Sequence, residues 1–217
     1  MKIYAINGSP RKKCNSAQML QAFVDGAKSI KPDADIEHVN LYDYKYTGCR
    51  SCFACQRKKN REHLCCHLRD DIHDILDGAF RADGLVFATP IYFFDITAQL
   101  SAFLERLMYP GVSAKQVPTA FIYTMNASKQ AKEELNFEAS LSTSKRFLEW
   151  TFHDTTESIY SFNTYQYNDS DDFIEEFKRY LPANKARHDV QFPIDCQNAF
   201  DAGIKMAQKI LILQSEA

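Results

Sequence analysis

Glycine is scarce in this chain, with seven in 217 residues, and no two of them fall in a Gly-x-Gly-x-x-Gly arrangement. The dinucleotide fingerprint is therefore absent. Gly-Lys-Ser/Thr is absent too, which excludes the phosphate loop of nucleotide hydrolases. No apolar run approaches the roughly 20 residues that cross a bilayer. A net charge of −2 sets up no long-range field toward nucleic acid or an anionic membrane, so neither is expected as a partner. The opening segment Met1–Ile6 is too short for a signal peptide and runs straight into a turn, so a cytoplasmic location is expected. In that reducing compartment the odd count of seven cysteines argues against a disulfide framework.

What is present is apolar periodicity. Lys2 to Ile6 reads as a short buried strand ended by Asn7-Gly8. Asn15 and Ser16 read as caps of a helix carrying Met19, Leu20, Phe23, Val24, Ala27 and Ile30 at helical spacing, stopped by Pro32. Asp35 to Leu41 is a second strand. Tyr42 to Arg69 is aromatic, basic and Cys-rich, and too long for an ordinary connection. Asp70-Asp71 opens a helix where its dipole favours acids. Gly84 to Ala88 is a third strand, and Thr97 caps a helix carrying Leu100 to Met108. Pro118 to Met125 is a fourth strand, followed by one helical stretch from Lys129 to Phe152. Ile159 to Phe162 is a fifth strand and Asp171 to Leu181 an inserted helix. The last helix starts at Cys196 and carries Phe200, Ile204, Ala207 and Leu211.

Alternating strands and helices predict a parallel sheet with right-handed crossovers and helices on both faces. The expected architecture is α/β: a flavodoxin-like three-layer sandwich on a five-stranded parallel sheet of order 2-1-3-4-5. Residues 1–217 are expected to form a single domain, with a Cys-rich insertion at about 42–69 and a helical insertion at about 168–190.

In such sheets ligands sit where the strand order reverses, between strands one and three. The loop after strand one, Asn7 to Ser16, ends at a helix N-terminus, where backbone N–H groups favour an anion. Ser9 and Ser16 bring hydroxyls, Asn15 an amide and Arg11 a charged fork, a donor set for one terminal phosphate. Across the cleft lies Thr89-Pro90-Ile91-Tyr92-Phe93-Phe94-Asp95, whose backbone amides and rings suit a flat heterocycle. Aromatics after a strand also simply pack the core.

Together these loops resemble the NADPH-dependent FMN reductase and iron–sulfur flavoprotein branch of the flavodoxin-like superfamily. The resemblance rests on Gly8-Ser9-Pro10-Arg11 with Asn15-Ser16. It rests also on Thr89-Pro90-Ile91-Tyr92 followed by Ala98-Gln99-Leu100, Phe103 and Arg106, and on Cys49, Cys52, Cys55 and Cys66 before Asp70-Asp71. It covers about the first 125 residues. It implies that Ser9, Arg11, Asn15 and Ser16 hold the FMN phosphate and that Pro90, Ile91, Tyr92 and Phe93 contact the ring. The implied activity is an FMN-binding oxidoreductase that passes electrons from NAD(P)H to a flavin, quinone or similar small acceptor. No catalytic side chain is required of the protein. The alternative is an electron carrier with FMN and a [4Fe-4S] cluster but no NAD(P)H site of its own. The loop after the fourth strand, Tyr123 to Asn126, lacks the family's glycines, and Asp95 stands where a neutral residue is commoner.

Cys49, Cys52, Cys55 and Cys66 are the candidate cluster ligands, with Cys65 the other choice for the fourth. Zinc with His63 or His67 is a further reading. The charged gap after Cys55 favours thiols that are scattered and hold no cluster. Cys14 and Cys196 read as structural. The wet aromatics Phe93, Phe94 and Tyr109 point to a homodimer or tetramer.

Overall fold

The computed structural model describes residues 1–60, 65–166, 178 and 181–216. Five parallel strands stand in the order β2-β1-β3-β4-β5. They are β1 (Lys2–Asn7), β2 (Asp35–Asn40), β3 (Gly84–Pro90), β4 (Thr119–Thr124) and β5 (Glu157–Ser161). The helices are α1 (Asn15–Ile30), α2 (His73–Arg81), α3 (Ala98–Met108), α4 (Lys129–Glu134), α5 (Glu138–Phe152) and α6 (Leu181–Glu216). The expected sheet order is the observed one.

The central strands are apolar without a break because both sheet faces are covered. Alternation along them divides the core in two. Tyr4, Ile6, Leu85, Phe87, Phe121 and Tyr123 face α2, α3 and α5. Ile3, Ala5, Val86, Ala88, Ala120 and Ile122 face α1 and α6. The second face is built of smaller side chains, and the two helices on it meet at their backbones. A Cβ on Gly26 would lie 2.0 Å from the Phe200 carbonyl oxygen, and one on Gly203 would lie 2.0 Å from that of Phe23.

Four expectations are corrected. Asn15 and Ser16 do not cap α1. Cys14 holds the cap position in an extended conformation with no side-chain bond to the helix, because Asn15 and Ser16 turn toward β5 and β4 instead. Asp70-Asp71 lies before α2, which begins at His73; Asp70 accepts from Arg106 and Asp71 from the Lys45 amide. The stretch 129–152 is two helices, broken where Asn136 enters the left-handed region at φ 50°. The last helix begins by Leu181, not at Cys196, and runs through Pro193. Proline inside a helix costs about 3 kcal/mol or more. Here packing of Phe192, Ala199, Ala202 and Met206 in the second core holds the segment in place. Most of the inserted helix expected at 171–181, and of the insertion at 168–190 before residue 181, lies outside the described residues.

Candidate functional site

The loop between β1 and α1 is shaped by its own short side chains. The Asn7 carboxamide accepts from the Ser9 amide at 3.0 Å and donates to Asn40 on β2 at 3.0 Å. Ser9 Oγ accepts from the Arg11 amide at 3.2 Å. The Gly8 amide donates to the Ala88 carbonyl at 2.8 Å, and Thr97 Oγ1 donates to the Gly8 carbonyl at 2.8 Å. A Cβ on Gly8 would stand 3.0 Å from Leu100 Cβ, a tight contact that would push the loop and α3 apart by a few tenths of an ångström. The loop is thus bolted to both neighbouring strands and to the start of α3. The first N–H groups of α1, which have no partner within the helix, open at the switch in strand order.

Ser9, Asn15 and Ser16 are buried polar residues at this point, while Arg11 is exposed. Ser16 Oγ lies 2.7 Å from Thr124 Oγ1 at the end of β4. Asn15 Nδ2 donates to the Tyr165 carbonyl at 2.9 Å, and the Arg11 guanidinium donates to the Gln166 carbonyl. The structure therefore brings the four candidate phosphate residues together at one helix terminus. The carbonyls of 165 and 166 beyond β5 are partners that sequence reading missed. Nothing in a one-dimensional pattern marks them, since a backbone acceptor is contributed by any residue type.

The loop after β3 turns sharply. Phe93 and Phe94 have φ of 50° and 71°. Tyr92 and Asp95 exchange amide–carbonyl bonds of 2.9 and 3.1 Å around them. Two successive left-handed residues make a type I′ turn, a conformation that asparagine and glycine favour. Each bulky residue there costs about 1–3 kcal/mol. The turn lifts Phe93 to 98% exposure. Ile91, Tyr92, Phe93 and Phe94 wall a cavity of about 240 Å³ whose other side is Met125, Asn126, Ala127, Phe137 and Gln166. Pro90 ends β3 beside this wall. Phe137 was not singled out from sequence, where it sat inside what read as one continuous helix.

Phe137 is held by its neighbours. Glu138 pairs with Lys132 at 2.8 Å and with Lys145 at 2.6 Å, and it accepts from the Tyr160 hydroxyl at 3.2 Å. Burial opposes its charge, but the two lysines outweigh burial and hold its carboxyl down at about 2. An acid depressed in the folded state adds stability that is complete above its ordinary value of 4.5 and is lost as pH falls through about 2. Glu138→Gln is expected to flatten the fall of the thermal midpoint across that window. A variant as acid-sensitive as the wild type would remove Glu138 from the account. The lysines and Glu138 are partly exposed, which screens the effect to a modest size.

The Cys-rich segment lies along α3. Arg106 is fully buried on α3 and uses all five N–H groups. It makes a two-pronged pair with Asp70 at 2.5 and 2.9 Å, and donates to the carbonyls of Thr47 at 3.1 Å and Leu68 at 3.0 Å and to Cys66 Sγ at 3.4 Å. Glu105 accepts from the Cys49 amide at 3.0 Å, and Tyr46 donates to the Gln99 carbonyl at 2.7 Å. Cys49, Cys52, Cys55 and Cys66 thereby line one cavity of about 210 Å³, with His67 and Arg106 also in its wall. They are not scattered over the fold. Among the described residues, no three His, Cys, Asp or Glu side chains close to metal-ligand distance. Burial raises the Cys55 thiol, with the nearby Cys66, Cys49 and Cys52 adding to the effect. Cys65 stands apart: burial pushes it up to about 12, with Asp77 adding to the rise. Cys65 is not among the residues lining that cavity, whereas Cys66 is, which makes Cys66 the fourth member of the set. His63 lies outside the described residues.

An anion-ready helix terminus beside an aromatic cavity, at the switch point of a 2-1-3-4-5 sheet, defines a flavodoxin-type α/β protein. The chain belongs to the NADPH-dependent FMN reductase family, whose model matches residues 1–143. It is similar to an iron–sulfur flavoprotein of Archaeoglobus fulgidus, 34% identical over 106 residues, 49% of this chain and 48% of the relative. It is also similar to one of Methanosarcina thermophila, 33% identical over 106 residues, 49% of this chain and 52% of that one. The chain spans about half the length of these curated relatives. Among solved structures it resembles an azoreductase of Bacillus anthracis with a TM-score of 0.64 at 13% identity, covering 94% of this chain and 99% of the other. An NAD(P)H:quinone oxidoreductase of Methanothermobacter marburgensis gives 0.63 at 17% identity, covering 95% and 96%. Identities this low establish the shared fold. No helix among the described residues is long and apolar enough to cross a membrane.

Proposed function

We propose that this chain binds one FMN and passes electrons from NAD(P)H to a quinone, flavin or similar small acceptor. The observation that carries the reading is the adjacency just described. Buried Ser9, Asn15 and Ser16 lie at the α1 N-terminus, and Gln166, whose carbonyl accepts from Arg11 in the same loop, lines the cavity walled by aromatic rings. This donor set fits a terminal phosphate, and the absence of an adenosine fingerprint favours FMN over FAD. FMN supplies, when bound, the hydride and electron chemistry.

The chain's own residues bind and orient. Ser9, Arg11, Asn15 and Ser16 would hold the phosphate, with the Arg11 and Asn15 side chains turning to it from the carbonyls of Gln166 and Tyr165. Pro90, Ile91, Tyr92 and Phe93 flank the ring, and their apolar bodies exclude water. No side chain is assigned as a catalytic acid, base or nucleophile. The chain acts as one flavodoxin-like unit in which residues 42–69 form an insertion. It works in the cytoplasm as a homodimer or tetramer.

Acid release and chromatography of the bound flavin test the cofactor. Recovery of FAD, or no flavin after reconstitution, would remove this reading. Arg11→Ala is expected to weaken FMN by about ten- to a hundredfold, the loss of one charge-assisted hydrogen bond of roughly 1.5–3 kcal/mol. Unchanged affinity in a titration would place Arg11 outside the phosphate site.

A second reading rests on a separate observation. Cys49, Cys52, Cys55 and Cys66 line one cavity, with the Arg106 guanidinium on Cys66. Four thiols suit a [4Fe-4S] cluster, and a buried cation beside them suits its negative charge. In that reading the chain is an electron carrier that accepts from a separate reductase. Iron and acid-labile sulfide assays on anaerobically purified protein separate the readings, together with stopped-flow mixing with NADPH. About four iron and four sulfide per chain, without rapid bleaching, favour the carrier.

A further inference from the structure

Thr124 stands where the two halves of the site join. It closes β4, in register with Pro90 of β3 on one side and Ser161 of β5 on the other. Its backbone carbonyl accepts from the Ile91 amide at 2.9 Å, at the start of the aromatic wall. Its hydroxyl meets Ser16 Oγ at 2.7 Å, in the first turn of α1. Both side chains are buried, Thr124 and Ser16 each in a residue only 3% exposed.

Each hydroxyl has one hydrogen to give and two lone pairs to accept with. In this pair one oxygen donates to the other, and the pair alone does not fix which. A terminal phosphate does fix it. Its oxygens are charged near neutral pH and accept hydrogen bonds. Ser16 then spends its hydrogen on the phosphate, and its bond to Thr124 survives only with Thr124 as the donor. The neighbouring Ser161 hydroxyl is committed elsewhere, since it donates to Asp195 at 2.5 Å. A hydroxyl that accepts one hydrogen bond donates the next more strongly, because the two polarise one another. Burial leaves water little access to take the place of Thr124.

We infer that Thr124 is a positioning residue for the phosphate: it donates to Ser16 and so aims the Ser16 hydroxyl as a donor. The inference rests on the FMN reading above and adds to it a side chain from β4. The carbonyl of the same residue holds Ile91, so the phosphate donors and the ring wall share one anchor. Replacing the side chain alone separates the two roles.

Full-length protein stripped of flavin is titrated with FMN and with riboflavin, which carries the same ring and no phosphate. The ratio of the two affinities is the readout. Thr124→Val keeps the side-chain shape and the backbone carbonyl and removes the hydroxyl. It is expected to lower the preference for FMN over riboflavin by about three- to tenfold, the range of one neutral hydrogen bond, with riboflavin affinity unchanged. Thr124→Ser returns the hydroxyl and is expected to return the ratio. In a Ser16→Ala background, Thr124→Val is expected to lower the ratio no further, because the hydroxyl it serves is gone. Thr124→Ala loses the same hydroxyl and answers the question if the valine variant does not fold. A Thr124 that only braces the sheet would weaken FMN and riboflavin together or leave the ratio at its wild-type value, and either result overturns the inference while FMN binding stands. A wild type that holds FMN no more tightly than riboflavin, or holds neither, overturns the functional reading and this one with it.

Discussion

Arg106→Met is expected to cost about 3–5 kcal/mol of folding stability, the scale for breaking a buried ion pair by removing one partner. The guanidinium is fully buried, while Asp70 keeps 19% side-chain exposure. Methionine fills the volume but strands the Asp70 carboxylate and leaves the carbonyls of Thr47 and Leu68 without their donor. Those groups belong to both ends of the Cys-rich segment, so its attachment to α3 loosens at once. Arg106→Lys is expected to recover little. One ammonium cannot match a planar fork that satisfies five acceptors. Adding Asp70→Asn to Arg106→Met is expected to recover part of the loss, because the stranded charge goes. Urea unfolding gives the numbers, and a loss below about 1 kcal/mol, typical of an exposed pair, would show that the pair contributes no more than a surface one.

The second large effect is expected at the helix pair behind the sheet. Gly203→Ala puts a methyl carbon 2.0 Å from the Phe23 carbonyl oxygen, and Gly26→Ala puts one 2.0 Å from that of Phe200. The obstacle is backbone, so α1 and α6 must separate, and the small-residue sheet face below them loses its cover. Overpacking of this kind costs about 1–3 kcal/mol and occasionally more; a rigid carbonyl places these sites at the upper end. The sign is diagnostic. At an unobstructed position glycine to alanine would stabilise a helix by about 0.8–1.0 kcal/mol. Thermal unfolding of either variant at or above the wild-type midpoint would therefore show that the helices are not in backbone contact.

These two sites illustrate what was and was not legible beforehand. The unbroken apolar runs of β1, β3 and β4 announced strands covered on both faces, and their alternation with helices announced the sheet order. The donors Ser9, Arg11, Asn15 and Ser16 were legible as a group because they crowd into one loop before a helix. Thr97 was legible as a cap, and it is one: its side chain accepts from the Leu100 amide at 3.4 Å. Its second bond, to the Gly8 carbonyl, was not. Arg106 carried a family signal, but its partners lie 36 to 59 residues away, and no local pattern links them. The α4–α5 elbow was read as helix because 129–152 keeps a helical rhythm across the break. One asparagine in the left-handed region interrupts it; asparagine is a known residue for that position, but the apolar rhythm continuing through Phe137 and Leu141 masks the signal.

The sequence by itself determined the class of fold, the position of the polar loop between β1 and α1 and the kinds of side chain it carries. These follow from nearest-neighbour physics: side-chain periodicity, helix termini and the shapes of short polar side chains are set within a few residues. Tertiary structure decided which distant groups share a site. It placed four cysteines from two ends of a long segment around one cavity under Arg106. It brought Phe137 to the ring cavity opposite Phe94, and it spent the hydrogen bonds of Arg11 and Asn15 on carbonyls about 150 residues on. Such pairings depend on how whole elements cross and pack. That geometry arises from the summed burial of both core faces, and no single stretch of sequence encodes it.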